Sequence, residues 1–114
     1  MIEIIKKPIS RSKVQELADS QFGDFVKAVV DVELEMKAIG AEMHSDEEAS
    51  LLDEGSSKHN LRGINIYPSL PTDEMIEFDS MINIRPSQGN RSRDIEDERT
   101  KKKILEVVNS LVGE

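Results

Sequence analysis

Apolar residues in this chain repeat with two different periods, and each period predicts a different kind of element. From Met75 to Arg85 the residues Ile76, Phe78, Ile82 and Ile84 stand on even positions, with Ser80 the only gap. The odd positions carry Glu77, Asp79, Asn83 and Arg85 beside Met75 and Met81. A period of two predicts a half-buried strand, one face in a core and the other open to water or a ligand. Pro86 withholds a ladder donor and should end that strand, and Gln88-Gly89-Asn90 reads as a turn. A second alternation runs from Val26 to Ala38, where every even residue is apolar. Its Leu, Glu, Met, Lys and Ala residues favour helix. Seven consecutive matches to alternation outweigh that preference and predict a strand. The phase flips near Ile39, which predicts a bulge or tight hairpin at Gly40.

Two shorter strands complete the sheet. Ile2, Ile4 and Ile5 predict the first, closed by Pro8. Leu61 to Tyr67 predicts the other, joined by residues Pro68 to Asp73 to the strand that follows. That spacing predicts a Leu61–Arg85 hairpin, centred near Pro71, with Asn65 opposite Glu77. The two strands carry near-identical pentads, INIYP at Ile64 and INIRP at Ile82, read as similar demands and not as a duplication.

Helical spacing appears three times. Val14, Leu17, Ala18 and Phe22 follow Ser10 or a Ser12–Gln15 capping box and precede Gly23. A Ser45–Glu48 capping box opens a short helix through Leu51 and Leu52 that Gly55 closes. A last helix starts at Asp94 or Asp97 and runs to Val112, with Ile104, Val107, Val108 and Leu111 as its apolar stripe. The expected fold is therefore a single α+β domain in the order β-α-β-α-β-β-α. Its mixed sheet has about four strands, with helices mainly on one face. The expected core is Val14, Leu17, Val30, Val32, Leu34, Ile64, Ile66, Phe78, Ile82, Ile84, Ile104, Val108 and Leu111.

Composition changes this picture in a few respects. The 114 residues suit one core, and with 4% aromatic residues and no Trp, that core must be built from Ile, Val, Leu and Met. No apolar run approaches the ~20 residues of a membrane span, and no signal-peptide segment is recognisable. A cytoplasmic location is expected. The absence of Cys excludes disulfides and thiolate metal sites. A net charge of −8 argues against nucleic-acid binding. Charge is uneven, however: Asp24 to Glu54 holds ten acids against two lysines, and Arg85 to Lys103 holds seven basic residues against four acids. Complementary halves, together with Val29 and Met81 on the outer face, predict a homodimer.

The segments VKAVVD, IGAEMHSDEE, GINIYP and MINIRPSQGNRSR carry a resemblance that covers nearly the whole chain. They are similar to those of a domain-of-unknown-function family of short archaeal and bacterial proteins. Arg62 departs from the family pattern, which often has an aromatic residue before Gly63. The resemblance therefore implies no aromatic wall there, and it implies no activity.

Three constellations are candidates for chemistry. The sheet face away from the helices should present Asp31, Glu33, Glu35, Asn65, Tyr67, Glu77, Asp79, Asn83 and Arg85. The turn RPSQGNRSR offers arginines, a Gly and amide donors for a phosphate or carboxylate. Asn65, Tyr67, Asn83, Arg85, Asn90 and Arg91 together form the expected binding set. They suit a non-enzymatic binding module for an anionic small molecule or a protein partner. The competing reading is a small metal-dependent hydrolase using Glu77, Asp79 and His44, since His and carboxylates are metal ligands. The acids after His44 equally serve a helix start, and no Ser is set up as a nucleophile.

Overall fold

A computed structural model describes residues 2–71 and 74–113. The chain folds as one α+β domain around a five-stranded antiparallel sheet. Its strands are β1 (Glu3–Ile5), β3 (Val26–Asp31), β4 (Met36–Ile39), β5 (Leu61–Ile66) and β6 (Ile76–Glu77), in the spatial order β1-β4-β3-β5-β6. Two further short strands, β2 (Ile9–Ser10) and β7 (Val112–Gly113), form a separate parallel pair. The expected mixed sheet is thus replaced by an antiparallel sheet and a parallel clasp. Three helices, α1 (Arg11–Asp19), α2 (His44–Asp53) and α3 (Glu98–Leu111), complete the described residues.

The long alternation contains a turn that its pattern conceals. Val26 to Asp31 and Met36 to Ile39 are separate strands, paired with Val30 opposite Lys37 and Asp31 opposite Met36. The four turn residues reverse the parity, so even residues of β3 share a face with odd residues of β4. Ala28, Val30 and Ile39 accordingly join one apolar cluster, and Val29, Met36 and Ala38 join the other. Asp31 builds the turn: its Oδ1 accepts from the Glu33 and Leu34 N–H groups at 2.9 and 2.8 Å. Its Oδ2 accepts from Ser56 Oγ at 2.6 Å. Leu34, expected in the core, sits in this turn and is 54% exposed. The hairpin expected at Gly40 lies here instead, and Gly40 ends β4 with a φ of 101°.

Both faces of the sheet are covered. Val14 and Ala18 of α1 and Ile104, Val107 and Val108 of α3 pack on the face carrying Ala28, Val30, Ile64 and Ile66. Leu51 of α2 and Ile82 pack on the opposite face against Val29, Met36, Ala38 and Leu61. The expected open polar face therefore has a dry centre. Val14, Val30, Ile64, Ile66, Ile104 and Val108 are buried as expected. Leu17, Val32, Phe78 and Ile82 are half-buried, and Ile84 is exposed. Leu111's side chain lies outside the described residues.

Helix ends follow local chemistry only in part. Ser10 caps α1, its Oγ accepting from Lys13 N–H at 3.1 Å, so Ser12 makes no capping box. α2 starts at His44 with Met43 at the N-cap position and no side-chain cap, so Ser45 lies inside the helix and makes no capping box, and Glu48 pairs with Arg85. Asp97 caps α3 by accepting from the Thr100 N–H and hydroxyl at 3.1 and 2.6 Å.

The expected strand from Met75 to Arg85 is mostly not a strand. Only Ile76 and Glu77 pair with β5, and Asn65 does stand opposite Glu77 as the spacing predicts. Beyond Phe78 the chain leaves the sheet and forms 3-10 turns at Met81–Asn83 and Pro86–Gln88. Ser80 starts the first of these, its Oγ accepting from Ile82 N–H at 3.3 Å. Burial there does not follow the alternation: Ser80, Asn83 and Arg85 are buried, whereas Met81 and Ile84 are exposed.

Candidate functional site

Once β6 departs, Asn83 takes its place beside β5. Its side-chain Oδ1 accepts from Gly63 N–H at 2.8 Å, and its Nδ2 donates to Gly63 C=O at 2.9 Å. A side-chain amide thus supplies the two backbone bonds that a neighbouring strand would have made. Nδ2 also donates to the Arg93 carbonyl at 2.9 Å. Gly63 is required at this contact, since a Cβ there would meet Ser80 Oγ at 2.5 Å and Ser80 Cβ at 2.6 Å. Ser80 is 1% exposed, so its segment must shift to admit a methyl group. Gly63→Ala is expected to cost about 2–3 kcal/mol by overpacking, measured as a loss in urea unfolding. A change below half a kilocalorie would show that the Ser80 segment moves freely.

Asn90 organises the following loop. Its Nδ2 donates to the carbonyls of Asn83, Ser92 and Asp94 at 2.6, 3.0 and 2.7 Å, and its Oδ1 accepts from Glu96 N–H at 2.7 Å. Its backbone bridges Arg85 in both directions. Arg85 is 9% exposed and points inward. Its Nη2 donates to Glu48 Oε2 at 2.9 Å, its Nε to the Ile82 carbonyl at 2.9 Å, and its Nη1 to the Lys58 carbonyl. Burial holds the Arg85 guanidinium below its ordinary pKa, against the opposing pull of Glu48. Asn83, Arg85 and Asn90 are therefore engaged in holding one another and the chain. Arg91 is exposed, and its backbone N–H donates to Glu96 Oε2 at 2.8 Å.

Asn65 and Tyr67 stand apart from that group. Both donate to Glu77 Oε1, from Asn65 Nδ2 at 2.8 Å and Tyr67 Oη at 3.2 Å. The Tyr67 ring lies 5.2 Å from Phe25 between centroids. His44 is nearly buried, its Nε2 2.7 Å from the Ile64 carbonyl, and burial lowers its pKa. Asp79 pairs with Arg93 at 2.6 Å. Among the described residues, no three His, Asp or Glu side chains gather closely enough to hold a metal ion.

A wide opening lies beside the 3-10 turns. A groove of about 630 Å³ runs between α2, the 58–60 turn and the segment 81–88. Met81, Ile82, Ile84 and Pro86 give it an apolar wall, and Glu48, Lys58, His59 and Arg85 line the rest with Ser87 and Gln88. Met81 is 64% exposed and Ile84 38%. Of the expected binding set, only Arg85 reaches this groove. Lys58 and His59 were missed because a short polar loop has no periodicity to mark them. The exposure of Met81 on a presumed wet face was the one signal available.

A family model described as a protein of unknown function (DUF5674) matches residues 3–111. The chain belongs to this family. Among curated proteins and solved structures nothing matches it. DUF5674 membership agrees with the resemblance carried by the sequence segments, and it assigns no chemistry to the groove. Among the described residues no helix is long and apolar enough to cross a membrane.

Proposed function

We propose that this DUF5674 protein is a non-enzymatic binding module. Its groove takes an anionic small molecule with an apolar body. The reading is carried by one observation: Met81 and Ile84 stand exposed along a groove whose rim carries Lys58 and His59. Large apolar side chains beside a concavity favour an apolar ligand body, and a volume of about 630 Å³ falls in the usual range for small-molecule sites. The Arg85–Glu48 pair, with both side chains nearly buried, holds one wall in place. Lys58 supplies the charge that would select an anionic head group, with the His59 ring beside it.

The metal-dependent hydrolase reading has less support, because His44, Glu77 and Asp79 each have another partner. Self-association through Met81 and Ile84 is the reading that competes most directly, and one experiment separates the two. Octanoate, an apolar chain with a carboxylate, is expected to raise the melting temperature of the wild-type protein. Ile84→Asp should abolish the rise while leaving the unliganded protein about as stable, since Ile84 is exposed. A rise that persists in Ile84→Asp, or no rise at all, refutes the ligand reading. A dimer mass in light scattering that falls to monomer in Ile84→Asp would assign the surface to a second copy of the chain.

A further inference from the structure

On the far side of the 86–90 turn lies a second cavity, of about 190 Å³. It is lined by Arg62, Gln88, Gly89, Asn90, Asp97 and Thr100, and only Gln88 is shared with the groove. Arg62 is the unusual member. It lies in β5 opposite Val30, on the face covered by α3, and is 8% exposed. Its Nη1 donates to the His59 and Leu61 carbonyls at 2.9 and 2.8 Å. Its Nε and Nη2 groups make no hydrogen bond among the described residues, and no carboxylate there forms an ion pair with it. Burial holds the Arg62 guanidinium below its ordinary pKa against the opposing pull of Asp97, and its unbonded Nε and Nη2 remain open to solvent.

The surroundings define what would complete it. Carbonyls occupy one edge of the guanidinium, which leaves Nε–H and Nη2–H as a parallel fork, the geometry that grips a carboxylate at two points. Gly89 has a φ of 80° and open space where a Cβ would stand, so the wall beside the cavity is bare backbone. Asp97 lines the same cavity, with Oδ2 accepting from Thr100. Its negative charge opposes any anion there, and opposes a phosphate dianion more strongly than a monocarboxylate. The volume suits a few-atom acid with some water, each water needing about 30 Å³.

We propose that the Arg62 cavity is a binding site for a small monocarboxylate, held on the free fork of the guanidinium. The site is separate from the groove and does not depend on what the groove binds.

The test is a ¹⁵N-NMR titration of the full chain with sodium formate, at constant ionic strength against sodium chloride. Saturable shifts are expected at the Gly89 and Thr100 amides and at the Arg62 Nε–H. Arg62→Lys, which keeps the charge but loses the fork, should weaken formate binding at least tenfold. Ile84→Asp should titrate like wild type, so failure of the groove reading would leave this result intact. Absence of saturation in wild type overturns the proposal, whatever the variants do. Equal shifts with chloride, undiminished binding in Arg62→Lys, or phosphate binding as tightly as formate would also overturn it.

Discussion

Asn83→Ala is expected to destabilise the protein by about 3–5 kcal/mol, among the larger losses a single polar substitution produces. Asn83 is fully buried, and its amide satisfies both Gly63 backbone groups and the Arg93 carbonyl. Truncation leaves both buried Gly63 backbone groups without that partner, each with its own desolvation cost, while the Arg93 carbonyl keeps the Ser80 N–H at 3.1 Å. Asn83→Asp discriminates packing from hydrogen bonding. The carboxylate keeps an acceptor for Gly63 N–H but turns its other oxygen on two carbonyls. It should therefore be severe at neutral pH and recover partly in acid, as the group protonates. Urea unfolding of both variants measures this. A loss under 1 kcal/mol for Asn83→Ala would show that the 78–90 segment does not depend on its amide.

Lys37→Met is expected to stabilise the protein, most strongly below neutral pH. Lys37 lies in β4 with Ile5 and Val30 as register partners, is fully buried, and its Nζ has no hydrogen-bond partner. Burial pulls its pKa from 10.5 to about 7. Because the folded value is depressed, the unfolded chain holds the proton more tightly between those limits. Stability from this group is complete above pH 10.5 and is lost as pH falls to about 7. A shift of this size corresponds to a few kcal/mol, so Lys37→Met should gain about 2–4 kcal/mol at pH 6.

Glu47 acts in the opposite sense. It is fully buried, with Oε2 accepting from Ala41 N–H at 3.0 Å and Oε1 without a partner. Burial raises its pKa from 4.5 to about 9. The folded protein holds this proton more tightly, so stability from Glu47 is complete below pH 4.5 and is lost as pH rises to about 9. Together the two groups predict stability that falls from pH 4.5 to 7, stays level to pH 9 and then rises. In Lys37→Met the fall should continue to pH 9 with no recovery, and in Glu47→Gln only the rise above pH 7 should remain. Identical pH profiles for wild type and both variants would refute the assignment.

These residues also show where the sequence could be read and where it could not. Period-two patterns located the strands and period-3.6 patterns the helices, because burial of one face constrains the residues themselves. The Asn65–Glu77 register followed from loop length alone. Parity failed at Val32–Glu35, since a four-residue turn flips the faces while leaving even positions apolar by coincidence. Lys37 stands at an odd position of that alternation, among charged residues, yet it is enclosed. The segment after Phe78 read as a strand from its alternation alone, although its backbone bonds run to side chains and within turns and its buried residues are the polar Ser80, Asn83 and Arg85. The polar residues expected to bind a ligand proved largely structural for a related reason. Asn and Arg with several donors can serve the chain's own carbonyls as readily as a ligand, and composition does not tell the two uses apart. The exposed Ile84 and the nearly buried Arg62 became visible only when neighbours were placed around them.

The parallel clasp of β2 and β7 has a bearing on how the chain folds. Ile9 stands opposite Val112 and Ser10 opposite Gly113, so nearly the whole chain forms the loop that this pairing closes. Closing it costs more entropy than any contact inside the sheet, whereas β3–β4 and β5–β6 are local hairpins. Two residue pairs offer little in return until α1 and the sheet are already in place. The clasp is therefore the last latch to engage as the protein forms and the first to slip as it breathes.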